Sequence, residues 1–205
     1  MQGYIIRMNR ARDEDLVVTI LSEQNLETLY RFYGARHGAI NLGFKIDFET
    51  ESSLKSSISR LRDVIHLGFP WITDSSRLRL WQQFIALFHP HLTHAEETGP
   101  FYFALIDHAA HHWHLQNPKR IAVESYVRLL EYEGRLHKTL HCFFCDAPVE
   151  GEVSLIRAYL PAHPECSHTL SINREGLQEL FENGSTLFLD DREVDRLWYV
   201  MLEGL

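Results

Sequence analysis

The apolar positions at the start of the chain fall in short runs. "GYIIRM", "DLVVTIL", "TLYRFYG" and "GFKIDFE" are rich in β-branched and aromatic residues and are separated by polar or glycine-containing breaks. In "GFKIDF" the alternation is strict, with Phe44, Ile46 and Phe48 on one face and Lys45 and Asp47 on the other. The next segment, "SSISRLRDVIHLGF", fits a strand and a helix equally well. Four or five short strands within residues 1–70 suit a small barrel or curled sheet, because an open sheet would leave long exposed edges.

From residue 72 the period lengthens. "TDSSRLRLWQQFIALF" spaces Leu80, Phe84, Leu87 and Phe88 at helical intervals behind a Thr/Asp/Ser start. "GPFYFALIDHAAHHWH" continues helical to about Gln116, and "NPKRIAVESYVRLLEYEG" opens on Asn-Pro and stops at Gly134. Two further helices are expected near the end, one from Asn173 to Gly184 and one capped by Asp191 or an adjacent aspartate. The expected fold class is α+β. A β module (residues 1–70) precedes a helical domain (71–140 and 170–205) that is interrupted by a cysteine-bearing insert (141–169).

That insert carries the most specific chemistry in the chain. "HCFFC" supplies Cys142 and Cys145, and "AHPECSH" supplies His163 and Cys166, with seventeen residues between the two pairs. Ligands two residues apart, in pairs separated by 15–20 residues, match a structural zinc site. A tight turn aims each pair at one tetrahedral ion, and the spacer returns as a hairpin. His163 is the favoured fourth ligand, with His168 and His141 as competitors. A redox dithiol would sit at a strand-to-helix junction of a βαβ unit, which is not visible here. A catalytic zinc would keep one position open, whereas four protein ligands are to hand. The plainest alternative is three buried or idle cysteines.

Composition narrows the function classes. No apolar run approaches the ~20 residues of a membrane span. The N-terminus lacks the layout of a secretory signal, so a cytoplasmic location is expected. Net charge is −8, yet residues 1–70 carry nine Lys/Arg against nine Asp/Glu while 71–205 carry eleven against nineteen. Any contact with a polyanion therefore belongs to a local patch on the β module. Thirteen histidines, concentrated in "HPHLTH" and "HAAHHWH", invite a metal-dependent hydrolase reading. His108 and His112 stand one helical turn apart, but no glutamate follows His108 as in a zincin. Helical projection puts both at the edge of the Phe101/Leu105/Ala109 stripe. No nucleophile elbow, P-loop or dinucleotide fingerprint occurs, and the chain carries no case for catalysis.

The order of these features resembles the RecO family of bacterial recombination mediators. The resemblance rests on "GYIIRMNRARDEDLVVTILSEQ", on "GAR" at 34–36 and on "YVRLLEYEGRLHKTLHCFFCDAPVEG" at 126–151. It covers most of residues 1–170, and the tail beyond matches only in being helical. It implies an N-terminal OB-fold, a helical domain and a zinc-binding insert. It also implies a non-enzymatic protein of the RecF pathway that binds single- and double-stranded DNA. Such proteins partner RecR and the single-stranded-DNA-binding protein, assist RecA loading and anneal complementary strands. Two departures stand out: the family's second C-x2-C is His163-x2-Cys166 here, and the chain is shorter and more acidic than typical members. OB-folds bind single strands through cations interleaved with stacking aromatics. Arg7, Arg10, Arg12, Arg31, Arg36 and Lys45, set among Tyr30, Phe32 and Tyr33, are the candidate phosphate contacts. The alternative for each is a barrel-core aromatic or a solvated arginine.

Overall fold

The alternation read in "GFKIDF" is realised: Phe44, Ile46 and Phe48 are buried, while Lys45 and Asp47 between them are half-buried. The computed structural model describes residues 1–52, 57–93, 95 and 98–205. It resolves into two compact units, residues 1–114 and 115–205.

In the first unit, strands Gln2–Arg10 (β1), Leu16–Ser22 (β2), Leu26–Arg31 (β3), Lys45–Glu51 (β4) and Arg60–Leu67 (β5) close a barrel in the order β1-β2-β3-β5-β4. The ambiguous segment is thus a strand. Among the described residues every pairing is antiparallel except β3 with β5, which meet in parallel through one register pair, Tyr30 with Arg60. This is the five-stranded OB-fold arrangement. A register shift between Ile5 and Arg7 bends β1 so that it pairs β2 along its length and β4 through Gln2–Tyr4. Inside lie Ile5, Leu16, Val18, Ile20, Leu29, Ile40, Phe44, Ile46, Phe48 and Leu61.

Helices Ser75–Ala86 (α1), Phe88–Leu92 (α2) and Gly99–His112 (α3) complete this unit. Asp74 caps α1, its carboxylate accepting from the N–H groups of Ser76 (2.9 Å) and Arg77 (3.2 Å). The buried stripe is Trp81, Phe84, Ile85 and Phe88, whereas Leu80 and Leu87 of the expected stripe are only half-buried. Trp81 sets this rotation, because its indole is driven against the barrel. A Cβ on Gly43 would stand 2.6 Å from that indole, and the Gly43 backbone has φ +82°. Its carbonyl accepts the Trp81 N–H at 2.7 Å. Helix α3 stops at His112, short of the expected Gln116, with Trp113 fully buried beyond it. The following Asn117 precedes a proline and takes an extended ψ of 120°, from which it caps the next helix.

Helix α3 is tied to the barrel by a half-buried cluster. Asp107 Oδ1 accepts from Tyr4 Oη at 2.7 Å and from Lys45 Nζ at 2.6 Å. The Lys45 ammonium also lies over the Tyr4 and Phe103 rings, 5.7 and 5.4 Å from their centroids.

The second unit contains Pro118–Tyr132 (α4), the hairpin Ser154–Ile156 (β6) and Leu160–Ala162 (β7), the single turn Pro164–Ser167 (α5), Arg174–Asn183 (α6) and Asp191–Leu202 (α7). Asp190, the neighbour of Asp191, caps α7 through a capping box with Glu193. Tyr126 and Tyr159 meet edge to face at 4.7 Å, and the Tyr159 hydroxyl donates to the Leu197 carbonyl at 3.0 Å. No helix among the described residues is long and apolar enough to cross a membrane.

Two outcomes test this packing. Gly43→Ala combines a left-handed backbone with a clash against an indole that has no room to move, and is expected to lower stability by about 2 kcal/mol or more in denaturant melts. Asp107→Asn strands the Lys45 charge and should cost about 2 kcal/mol near neutral pH. Burial opposes the Asp107 charge, but the Lys45 and Tyr4 hydrogen bonds outweigh it and hold its carboxyl below the usual range. A lowered folded value contributes stability above the unfolded value, about 3.9, that is lost as pH falls through the folded one. The wild-type advantage over Asp107→Asn should therefore be constant above about pH 5 and shrink below about pH 4.

Candidate metal centre and nucleic-acid interface

The insert folds so that its two ligand pairs face each other. The backbone turns tightly after Cys142, whose carbonyl accepts the Asp146 N–H at 2.8 Å, and Asp146 takes a left-handed φ of 59°. The β6–β7 hairpin then returns the chain, and the Phe143 N–H donates to the Pro161 carbonyl at 2.9 Å. His163 leaves β7 directly and Cys166 follows within α5.

As a result Cys142 Sγ, Cys145 Sγ, His163 and Cys166 Sγ present ligand atoms that all lie within 4.8 Å of one another. His163 Nδ1 is 3.4 Å from Cys145 Sγ and 3.9 Å from Cys166 Sγ, and the two sulfurs are 4.0 Å apart. A tetrahedral zinc with its usual bond lengths requires S–S edges of about 3.8 Å and S–N edges of about 3.6 Å. The residues therefore fit a closed four-ligand metal site. His163 Nε2 lies 3.2 Å from the Pro148 carbonyl, a contact that assigns its proton to Nε2 and leaves Nδ1 free to ligate. His168 stands apart from the group at the C-cap of α5, exposed, with φ 55°. His141 is exposed and bridges to Pro148 through its backbone.

The thiols are not equivalent. Burial works against a Cys142 thiolate, but N–H groups of His163, Cys145 and Phe144 outweigh it and bring its thiol down to about 6. Burial, followed by the neighbouring Cys142 and Cys145 sulfurs, pushes Cys166 up to about 11. One thiolate is thus supplied by backbone donors, and an ion's charge would favour deprotonation of the others.

On the barrel the candidate cations are dispersed. Arg10 and Arg12 are exposed at and just past the end of β1. Arg7 Nη1 lies 3.1 Å from His89 Nε2. Arg36 pairs with Glu14 and lies over the Tyr33 ring, 5.4 Å from its centroid. Arg31 is half-buried, with Nη1 donating to the Leu61 carbonyl at 2.9 Å. Lys45 sits opposite Leu67, at the other end of β5 from Arg60, and is engaged by Asp107. The aromatics are not barrel core: Phe32 and Tyr33 are exposed past the end of β3, and Tyr30 is half-buried with its hydroxyl donating to Asp15 at 2.6 Å.

Sequence reading passed over two cations, Arg60 and Arg62. With Arg31, Phe32, Leu61 and Asp63 they line a cavity of about 290 Å³. Their spacing of two, which puts both on one face of a strand, was the available signal, hidden because that segment also fitted a helix.

Residues 1–72 match the family model for the RecO N-terminal domain. The barrel is thus similar to the RecO N-terminal domain, and the similarity spans about a third of the chain. A search of the curated proteins found no match. The match covers the whole barrel and stops before α1, so it speaks for the barrel alone; the metal group rests on its own geometry.

The histidine-rich stretches lie elsewhere in the first unit. His108 and His112 stack at 4.1 Å, and His112 Nδ1 is 2.8 Å from the His108 carbonyl. His111 Nδ1 is 2.7 Å from the Asp107 carbonyl. His94 lies outside the described residues. Among the described residues, the one group of three or more His, Cys, Asp or Glu able to share an ion is the Cys3His set.

Metal content settles the ligand assignment. Cys142→Ser, Cys145→Ser and His163→Ala are each expected to lose the bound ion from the purified protein and to lower its melting temperature. His168→Ala and His141→Ala should keep both unchanged. Retention of metal by His163→Ala would remove His163 from the site.

Proposed function

We propose that this chain is a non-enzymatic DNA-binding mediator of recombinational repair, acting in the cytoplasm at the nucleoid. In this reading it assists RecA loading on single-stranded DNA and anneals complementary strands with RecR. It meets DNA as single and double strands, beside the single-stranded-DNA-binding protein. The observation that carries it is the RecO N-terminal match on a closed OB-type barrel whose outer surface bears exposed arginines beside exposed aromatics. Arg7, Arg10, Arg12, Arg31 and Arg36 are the proposed phosphate contacts. Lys45, engaged by Asp107, serves mainly to hold α3 to the barrel. The Cys3His group is proposed to bind a structural Zn²⁺, which when bound crosslinks the two ends of the insert and makes metal affinity part of the folding free energy.

With a net charge of −8, attraction to DNA is local, and salt should abolish it readily. About five phosphate contacts on a single strand correspond to a slope of roughly −3 to −4 in log Kobs against log salt. Anisotropy titrations of the full chain on labelled oligonucleotides across a salt series measure this directly.

One observation favours a second reading, a metal-stabilised protein-interaction module without direct DNA contact. Phe143 and Phe144, between the paired cysteines, are 62% and 56% exposed. Absence of oligonucleotide binding at low salt would select that reading.

A further inference from the structure

We propose that the cavity where β3 meets β5 is a stacking site for one unpaired base of a single strand. Phe32 is the platform, and Arg60 and Arg62 take the flanking phosphates. The inference rests on the DNA-binding reading and narrows it to a ligand form and a place.

Phe32 is a large apolar ring left 46% exposed at the mouth of a cavity of about 290 Å³. That volume lies at the small end of ligand sites, on the scale of a nucleotide rather than a duplex. The ring is held edge-on by Tyr30, with centroids 5.0 Å apart, and Tyr30 is fixed in turn by its hydrogen bond to Asp15. Its orientation is therefore set before any ligand arrives. The Arg60 guanidinium lies over the ring, 5.1 Å from the centroid, so a planar cation already uses the face a base would take, and Arg60 vacates it by turning to a flanking phosphate.

The cations around the ring are only loosely engaged. Arg60 and Arg62 share the Glu51 carboxylate at 3.9 and 3.6 Å, and all three side chains are 41–55% exposed. Such pairs are weak in water, and a phosphate can displace the carboxylate with shorter, bidentate contacts. Arg31 is anchored through Nη1 to the Leu61 carbonyl, while its buried Nε has no partner among the described residues. On the same wall Asp63 takes a left-handed φ of 43°, in a stretch where the β4–β5 register shifts. A non-glycine residue pays a conformational cost there. Its carboxylate repels phosphate and so confines the strand's backbone to the side of Arg60 and Arg62. A lone aromatic platform selects single strands, because the base faces of a duplex are already stacked on each other.

The test uses the full chain with labelled oligo(dT), a duplex of equal length and an abasic strand of the same phosphate count. Phe32→Ala is expected to weaken oligo(dT) binding about 10-fold while leaving the duplex and the abasic strand unaffected, and Phe32→Trp should retain wild-type affinity. Arg62→Gln should reduce the salt slope on oligo(dT) by about 0.7. Wild-type protein should bind oligo(dT) more tightly than the abasic strand, an arm that needs no variant to fold. Equal wild-type affinity for oligo(dT) and the abasic strand overturns the stacking site, as does an unchanged or non-selective effect of Phe32→Ala in a normally melting variant. In either case DNA binding itself still stands. Failure of the wild-type chain to bind any strand at low salt removes the DNA-binding reading and this inference with it.

Discussion

Three buried indoles set the geometry of the first unit. Each N–H is sealed from water and donates to the backbone of a different segment: Trp71 to Ala110, Trp81 to Gly43 and Trp113 to Arg77, at 2.7–3.1 Å. A buried donor left without a partner costs about 1–3 kcal/mol, so a shift of α1 or α3 that breaks one of these bonds is strongly opposed. The rings also touch one another, with Trp81 5.2 Å from Trp71 and 5.0 Å from Trp113, so the three bonds do not act independently. Directional bonds thus fix what apolar contact alone would leave free to slide. The barrel gains a rigid backing on this side, and the face bearing Phe32, Arg60 and Arg62 is left to solvent.

The second unit meets the same need differently. Its hairpin has strands of three residues, too short to persist by pairing alone. It is held by Tyr159 on the helical side and by the Cys3His set at its base, where an ion's bonds would replace the apolar contacts that so short a segment cannot make. The two units therefore use opposite materials: large aromatic area in the first, and a few strong, directional ligands in the second.

How much of this was legible depended on whether a local pattern carried it. The strand of "GFKIDF" showed because one face is buried along much of its length, and that of "GYIIRM" because Tyr4, Ile5 and Ile6 form a short fully buried run. β5 stayed ambiguous because Leu61 is its one fully buried side chain, so its alternation barely registers. The helix starts were readable from Asp74, Asn117, Asn173 and the Asp190–Asp191 pair, because caps are local chemistry. The rotation of α1 was not, since it follows from Trp81 meeting Gly43 thirty-eight residues away. The gathering of Cys142, Cys145, His163 and Cys166, with His163 as the favoured fourth ligand, was legible in spacing, whereas setting His168 aside required the turn of α5. The cluster of Arg31, Phe32, Arg60 and Arg62 was illegible, because it arises where two strands distant in sequence meet in parallel.

That parallel junction has a mechanical consequence. A ring of strands is only as stiff as its weakest joint, and here four joints are antiparallel ladders while the fifth, among the described residues, is a single register pair, Tyr30 with Arg60. Opening this joint would turn a closed hoop into a curled ribbon without disturbing any other ladder. The aromatic and cationic groups lie on both lips of that joint, Phe32 on one and Arg60 on the other. A ligand held between them, as proposed, would bridge the joint that has the fewest backbone pairs among the described residues.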